Sequence, residues 1–206
     1  MDNKYDVLIA GSGVAGLYAA IQFDKSHKVL VLSKQAETIS SSSLAQGGVA
    51  AVLEHEDDSF DLHIEDTLIA GGYKNDLPAV ELLIREGPDD VRKIIEMGVD
   101  FDKDDNNDLL KTLEGGHSRR RIVHHKDSTG REMVEKLLIK AKEHPAVELV
   151  ENAVICTVSR VRSGFRAEVL LNGEIKVVYA SFCILATGGI GRVYSYTTNP
   201  ATATGD

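Results

Sequence analysis

The sequence contains no tryptophan, only two cysteines and only four prolines in 206 residues, and acidic residues outnumber basic ones. The cysteines, Cys156 and Cys183, sit far apart inside apolar runs without C-x-x-C spacing. Neither a disulfide framework nor a cysteine metal site is indicated, and reduced, buried thiols are expected. A net charge of -9 and a pI near 5.3 exclude a general nucleic-acid or anionic-membrane binder, because a phosphate-tracking surface needs net basic charge. No apolar run approaches the roughly 20 residues that span a bilayer, and the N-terminus MDNKYD is polar and acidic rather than signal-like. A cytoplasmic chain with no nucleic-acid and no membrane partner is therefore expected.

Hydrophobic residues make up 43% of the chain, enough to fill a buried core. In YDVLIAGSGVAGLYAAIQF, a compact apolar run (Val7 to Ala10) predicts a strand buried on both faces, followed by a glycine turn and a helix. HKVLVLSK then reads as a second buried strand, completing a unit of βαβ size. The turn is Gly11-Ser12-Gly13-Val14-Ala15-Gly16, a G-x-G-x-x-G in the context it requires. Its first glycine allows the tight turn, the second lets backbone approach a pyrophosphate, and the third permits close helix packing, with the helix dipole facing the phosphates. The fingerprint expects an acidic residue about 20 positions on for a ribose hydroxyl. Ser33-Lys34 stands there, with Glu37 slightly beyond, so charge alone does not separate NAD, NADP and FAD.

Residues 59 to 97 carry three- and four-residue apolar spacing, which predicts two or three helices broken near Gly71-Gly72 and Gly87-Pro88. DKDDNNDL (102 to 109) reads as a solvated turn-rich loop. Thr129-Gly130-Arg131-Glu132 has capping-box spacing, which makes Glu132 a helix-start residue rather than a catalyst. Two alternating segments joined at Asn172-Gly173 predict a hairpin, and FCILATGG predicts another buried strand ending in glycines. His124 and His125 are adjacent, and without a further carboxylate or cysteine at ligand spacing they suggest no metal site.

Taken with the glycine turn, the motifs SSSLAQGGVAAV, HIEDTLIAGG, EGGHSRRR, DSTGRE, ATGG and YTTNPATATGD, in this order, closely resemble the N-terminal part of the L-aspartate oxidase family. That family belongs to the succinate dehydrogenase and fumarate reductase flavoprotein superfamily, and the resemblance runs from about Tyr5 to Asp206. It implies a Rossmann-like FAD-binding α/β domain with a central parallel sheet, flanking helices and an antiparallel β-meander, spanning residues 1 to 206. It further implies that the family's capping and C-terminal helical domains are absent from these residues, together with the arginine proposed as acid or base. No catalytic residue is then expected within the chain, which alone would be inactive.

FAD is the implied cofactor, with its pyrophosphate over Gly11, Ser12, Gly13, Val14, Ala15 and Gly16 and its ribose near Ser33 and Lys34. The family's flavin loop falls on Ser41, Ser42, Ser43, Leu44, Ala45, Gln46, Gly47 and Gly48, whose backbone N–H groups suit a flavin ring. Asp206 matches a residue that contacts FAD. In membrane succinate dehydrogenases and fumarate reductases a histidine of this loop carries the flavin covalently. Ser41 stands there in this sequence, and no histidine occurs between His27 and His55, so non-covalent FAD is implied.

The resemblance makes LEGGHS a substrate-side loop. Glu114 is its candidate reader of the L-aspartate amino group: a carboxylate pairs with an α-ammonium and repels a misplaced carboxylate. His117 is a candidate lining residue, and Arg119 to Arg121 supply local positive potential, though each alone reads as a solvated, salt-bridging arginine. The family often has arginine where Leu113 stands. The implied reaction is oxidation of L-aspartate to iminoaspartate with O2 or fumarate as acceptor, the first step of quinolinate and NAD biosynthesis, with a hand-off to quinolinate synthase. Self-association into a homodimer is a further expectation. Two rivals remain: a soluble fumarate reductase-like flavoprotein, and a nucleotide-binding module without a reaction.

Overall fold

A computed structural model describes residues 1–36 and 40–205; Glu37 and Asp206 lie outside the described residues. The chain divides into two compact units, Met1–Ala45 with Met133–Asp206, and Gln46–Glu132.

The first unit is built on the predicted βαβ start. Strand β1 (Lys4–Ala10) is followed by helix α1 (Val14–Ala20) and strand β2 (Val29–Leu32). Val7 to Ala10 and all four residues of β2 are buried, as continuous apolar runs covered on both faces should be. The second unit follows, with strand β3 (Val49–Ala50), helices α2 (Phe60–Ala70) and α3 (Leu77–Glu96), and strands β4 (Lys111–Thr112) and β5 (Ile122–Val123). Helix α4 (Thr129–Glu143) then leads back into the first unit and to strands β6 (Val147–Val150), β7 (Ala153–Val161), β8 (Gly164–Leu171) and β9 (Glu174–Leu185).

The main sheet has the order β6-β2-β1-β9-β8-β7. Pairing is parallel from β6 through β2 and β1 to β9, then antiparallel through β8 to β7. The meander and the parallel sheet are therefore one continuous sheet joined at β9. This strand is long enough to do both: Glu174 to Ala180 pair with β8, while Tyr179 to Leu185 pair with β1. The β8–β9 turn has Asn172 and Gly173 both at positive φ (53° and 80°), as a type I′ hairpin requires.

The second unit packs α2 against α3 through Ile64, Val80 and Ile84, with Phe60 and Leu68 beside them. Both helices are capped by short polar side chains: Ser59 Oγ accepts from the Leu62 N–H, and Asp76 from the Ala79 N–H. Its small antiparallel sheet has the order β3-β5-β4.

Four local expectations are corrected. Helix α3 runs through Gly87-Pro88, because buried Val80, Ile84, Val91 and Ile94 continue one apolar face across the residue whose missing N–H would otherwise end it. Thr129 is already helical and its hydroxyl accepts from the His125 N–H (3.0 Å), so it does not form the capping box with Glu132. Cys156 is exposed on edge strand β7 and Cys183 is only half-buried; both are free thiols. Strand β9 is not buried throughout: Val178 and Ala180 are, but Phe182 and Leu185 are 68% and 69% exposed.

Candidate functional site

In the first unit, the turn from β1 to α1 is fixed by contacts that no side chain would permit. Gly11 sits at φ 112°, and a Cβ there would fall 2.2 Å from the Ala186 carbonyl oxygen. A Cβ on Gly16 would fall 1.9 Å from the Gly11 carbonyl oxygen, so helix and turn touch backbone to backbone. Gly13 is the N-cap and offers no side chain to the first turn, which also lacks an acidic residue. The turn thus offers main-chain N–H groups and no first-turn carboxylate, a setting suited to phosphate.

These residues open a cleft of about 280 Å³, lined by Gly11, Ser12, Gly13, Ala15, Ser33, Lys34, Gln35 and Ser40 to Ser42 on one part. Leu185 to Gly189, Pro200, Thr202 and Ala203 line the remainder. Of the first set, all but Gln35 and Ser40 were expected from the sequence to lie at the cofactor; the second set stood there only within quoted motifs. Their signal was the glycine pair after a strand, for the end of β9 reaches Ala186, whose N–H donates to the Ala10 carbonyl.

Ser12 Oγ donates to Ser33 Oγ at 2.8 Å, and both residues are buried. The Ser33 backbone also bonds Val150 and Ala153, so the expected ribose edge is held rigidly at the end of β2. Lys34 Nζ donates to Thr204 Oγ1 at 2.8 Å. In the serine loop, Ser42 Oγ accepts from the Val14 N–H (3.3 Å) and Ser41 Oγ bonds Asn199 Oδ1 (3.1 Å). Ser43 closes the loop on Ser40 in both directions, while Leu44 and Ala45 are exposed. Four serines, Ser40 to Ser43, therefore shape the loop with their side chains, in addition to any backbone donors.

Gln46, Gly47 and Gly48 belong to the second unit. A Cβ on Gly48 would lie 2.3 Å from the Val123 carbonyl oxygen, which explains the glycine; a Cβ on Gly47 would meet Glu114 Oε2 at 3.7 Å. The exposed Glu114 carboxylate thus lies beside Gly47. Its loop turns at Gly116 (φ 85°), closed by the His117 N–H donating to the Glu114 carbonyl (3.2 Å).

Behind that loop lies a buried ionic cluster absent from the sequence reading. Arg121 is 1% exposed, not solvated. Its Nε and Nη2 donate to the two oxygens of Asp58 (2.8 and 2.7 Å), and its Nη1 donates to Asp66 Oδ2 (2.5 Å). Asp66 Oδ2 also accepts from Ser118 N–H and Oγ, both at 2.8 Å. Burial pushes the Asp58 and Asp66 carboxyls up, but hydrogen bonds from Arg121, Ser59 and Ser118 outweigh it and hold both below the usual carboxylate range. Arg121 is correspondingly raised. Nothing local announced this cluster, since its partners lie more than 50 positions away in sequence.

His63 on α2 sits beside His117, with ring centroids 5.5 Å apart. Its side chain is buried and Nδ1 has no partner. Burial, aided by the Arg121 charge, lowers its pKa to about 4. Arg119 and Arg120 are exposed and, with Lys111, Leu113 and Ser118, line an open cleft of about 550 Å³. His124 and His125 do not diverge: their Nδ1 atoms lie 3.1 and 4.0 Å from the Asp102 carboxylate. Among the described residues no cluster of three or more His, Cys, Asp or Glu is placed to hold a metal ion, and no helix is long and apolar enough to cross a membrane.

A parallel sheet with a glycine-lined turn between its first strand and first helix defines a dinucleotide-binding α/β domain. The chain belongs to the FAD binding domain family, which it matches over residues 6–206. It is 40% identical over 208 residues to L-aspartate oxidase from Clostridium perfringens, covering 100% of this chain and 46% of that protein. It is 42% identical over 210 residues to L-aspartate oxidase from Streptomyces coelicolor, covering 98% and 36%. The chain spans less than half the length of these relatives. Among solved structures it resembles E. coli quinol fumarate reductase FrdA (TM-score 0.93, 27% identity, 98% of this chain and 36% of that one). A Mycobacterium smegmatis Sdh1 complex gives a TM-score of 0.92 at 28% identity, covering 99% and 37%. FAD is the cofactor of this fold, and the backbone cradle at Gly11, Gly13 and Gly16 fits it.

Proposed function

We propose that this chain is the FAD-binding and substrate-reading part of an L-aspartate oxidase, which oxidises L-aspartate to iminoaspartate and passes the electrons to O2 or fumarate. The reading makes it the first step of quinolinate and NAD biosynthesis, with quinolinate synthase downstream. It rests above all on the Glu114 carboxylate standing beside Gly47 on a loop anchored by buried charge, in a chain about 40% identical to enzymes of that name.

The bound flavin supplies the hydride chemistry. Gly11 to Gly16 would hold its pyrophosphate, and Ser33 and Lys34 would flank its ribose. Ser41 to Gly48 would shape the flavin loop, and the serine at 41 leaves FAD dissociable. Glu114 pairs with the α-ammonium of aspartate, which succinate and fumarate lack, so selectivity comes from one added charge in a site otherwise suited to dicarboxylates. His117 supplies a hydrogen bond on the same loop. The reading gives none of these side chains a proton-transfer role at the substrate carbon, and residues 1–206 alone are expected to bind without completing a turnover.

The test is Glu114→Gln in the FAD-loaded enzyme. Aspartate oxidation is expected to fall at least 100-fold, by the loss of a charge-assisted pair of about 3 kcal/mol, while fumarate reduction changes several-fold at most. Equal losses would remove the selectivity role and favour the fumarate reductase-like reading, to which the likeness to FrdA points. In the 206-residue chain, FAD should shift and saturate in absorbance, dissociate intact on denaturation, and stay oxidised when aspartate is added anaerobically. Flavin that remained attached after denaturation would contradict the assignment of Ser41.

A further inference from the structure

We propose that Arg121 is a positioning residue that fixes the His117 ring with Nδ1 as acceptor and its proton on Nε2, and so sets a hydrogen-bond donor on the loop that bears Glu114. The proposal rests on the reading of this loop as the substrate side.

A guanidinium has five N–H donors and no acceptor. Arg121 spends three on the carboxylates of Asp58 and Asp66, and its Nη1 also lies 3.1 Å from His117 Nδ1. At that distance Nδ1 has one role open to it: it must accept. A proton on Nδ1 would set two N–H groups against each other. The ring therefore keeps its proton on Nε2, the nitrogen Arg121 does not use.

The surroundings hold this arrangement. Asp58 grips Arg121 with both oxygens, and Asp66 ties Arg121 to Ser118, the residue next to His117. His63, the ring facing His117, is buried and uncharged above about pH 4, so it adds no competing charge at neutral pH. The groups that face His117 are thus Arg121 in its own segment, His63 and Asp66 on α2, and Asp58 just before that helix. The Arg121 charge is offset by two carboxylates, so no net positive charge is passed to the loop. What the loop receives is direction: an N–H suited to a carboxylate oxygen, at a set distance along the chain from a carboxylate suited to an ammonium. An α-amino dicarboxylate carries both partners.

The primary test is long-range proton-nitrogen NMR of the ¹⁵N-labelled 206-residue chain, which has only seven histidines, with the His117 signals assigned through His117→Gln. The expected result at pH 8 is an unprotonated Nδ1 and a protonated Nε2. A His117 ring that carries its proton on Nδ1 overturns the proposal. Arg121→Lys keeps the charge but loses the planar fork, and should turn the ring into a mixture of tautomers; an unchanged tautomer in folded Arg121→Lys also overturns it. If that variant does not fold, Asp66→Asn serves, because it frees Arg121 on one side and is expected to broaden the same signals.

The functional readout is substrate affinity in the FAD-loaded protein. It should fall about 10-fold in His117→Phe for aspartate and succinate alike, since both carry the carboxylate that the Nε2–H serves, and recover in His117→Gln, whose amide N–H can donate. Unchanged affinity in His117→Phe, with the tautomer as stated, would refute the substrate-side reading and leave the tautomer assignment standing. A His117 proton on Nδ1 alongside a selective loss in Glu114→Gln would sink the proposal alone.

Discussion

The two units build their candidate sites from different material. In Met1–Ala45 with Met133–Asp206 the glycine turn of the cleft is shaped by main chain, and its decisive residues are those with nothing beyond Cα. In Gln46–Glu132 the candidate site is made of side chains whose charges are paired out of solvent, Arg121 with Asp58 and Asp66. A site built from backbone fails when an atom is added. A site built from paired charge fails when one partner is taken away.

The largest effect on cofactor binding is expected at Gly16. In Gly16→Ala the new Cβ would overlap the Gly11 carbonyl oxygen at 1.9 Å, so backbone itself would have to shift. A loss of on the order of 3 kcal/mol in urea denaturation and at least a 100-fold loss of FAD affinity by absorbance titration are expected. Gly13→Ala is the control for stability alone, because its Cβ would meet only the Ser42 side chain, the hydroxyl at 3.1 Å. An equal loss of stability in the two variants would break the backbone account of the cleft.

Removal, not addition, is the matching test in the other unit. Arg121→Met strands two buried carboxylates and is expected to cost about 3–5 kcal/mol. Replacing all three together, as Arg121→Met with Asp58→Leu and Asp66→Leu, should recover most of that stability, because desolvated ion pairs roughly offset their own attraction. It should not recover the His117 tautomer. Chemical denaturation compares the stabilities, and the NMR signals of His117 report the tautomer.

Acid should affect the second unit through His63. Its folded pKa of about 4 lies below the ordinary 6.5, so the unfolded chain binds the proton first as pH falls. Stability is therefore full above about pH 6.5 and declines toward pH 4, by on the order of 3 kcal/mol at most. Asp58 and Asp66 act in a separate window: their depressed pKa values contribute stability present above the ordinary carboxylate value and lost only below it. His63→Leu should flatten the profile between pH 6.5 and 4 and leave the lower limb in place. A wild-type urea midpoint that did not change between pH 7 and pH 4.5 would contradict the buried, neutral assignment.

The same contrast explains what could be read in the sequence. The cofactor cleft was legible because G-x-G-x-x-G, its flanking strands and the Asn172-Gly173 turn are local patterns whose backbone demands are written within a few residues. The continuation of α3 through Pro88 was not, because propensity at one position is outweighed by an apolar face that continues on both sides of it. The ionic cluster was illegible for a different reason. Arg121 read as one of three surface arginines, and only the folded chain brings Asp58 and Asp66 to it; HIEDT shows an acid and a histidine on one helix face but not what they face. Exposed Phe182 and Leu185 defeat periodicity too, since burial of a strand is a property of what covers it.

The smallest expected effect tests a place where the cleft uses side chains. Ser33 stands where the fingerprint ordinarily has a carboxylate, and its hydroxyl accepts from Ser12 at 2.8 Å in a buried setting. Ser33→Ala leaves the Ser12 hydroxyl without that acceptor, a cost of about 1 kcal/mol in stability. The main chain of residue 33 is held independently by Val150 and Ala153, so the strand end stays in place. If FAD is held chiefly by main chain, its affinity should then fall less than about 5-fold, the effect of one neutral hydrogen bond. A loss approaching that of Gly16→Ala would mean that the ribose edge is gripped by side chains after all, and the distinction between the two units would narrow to one of charge.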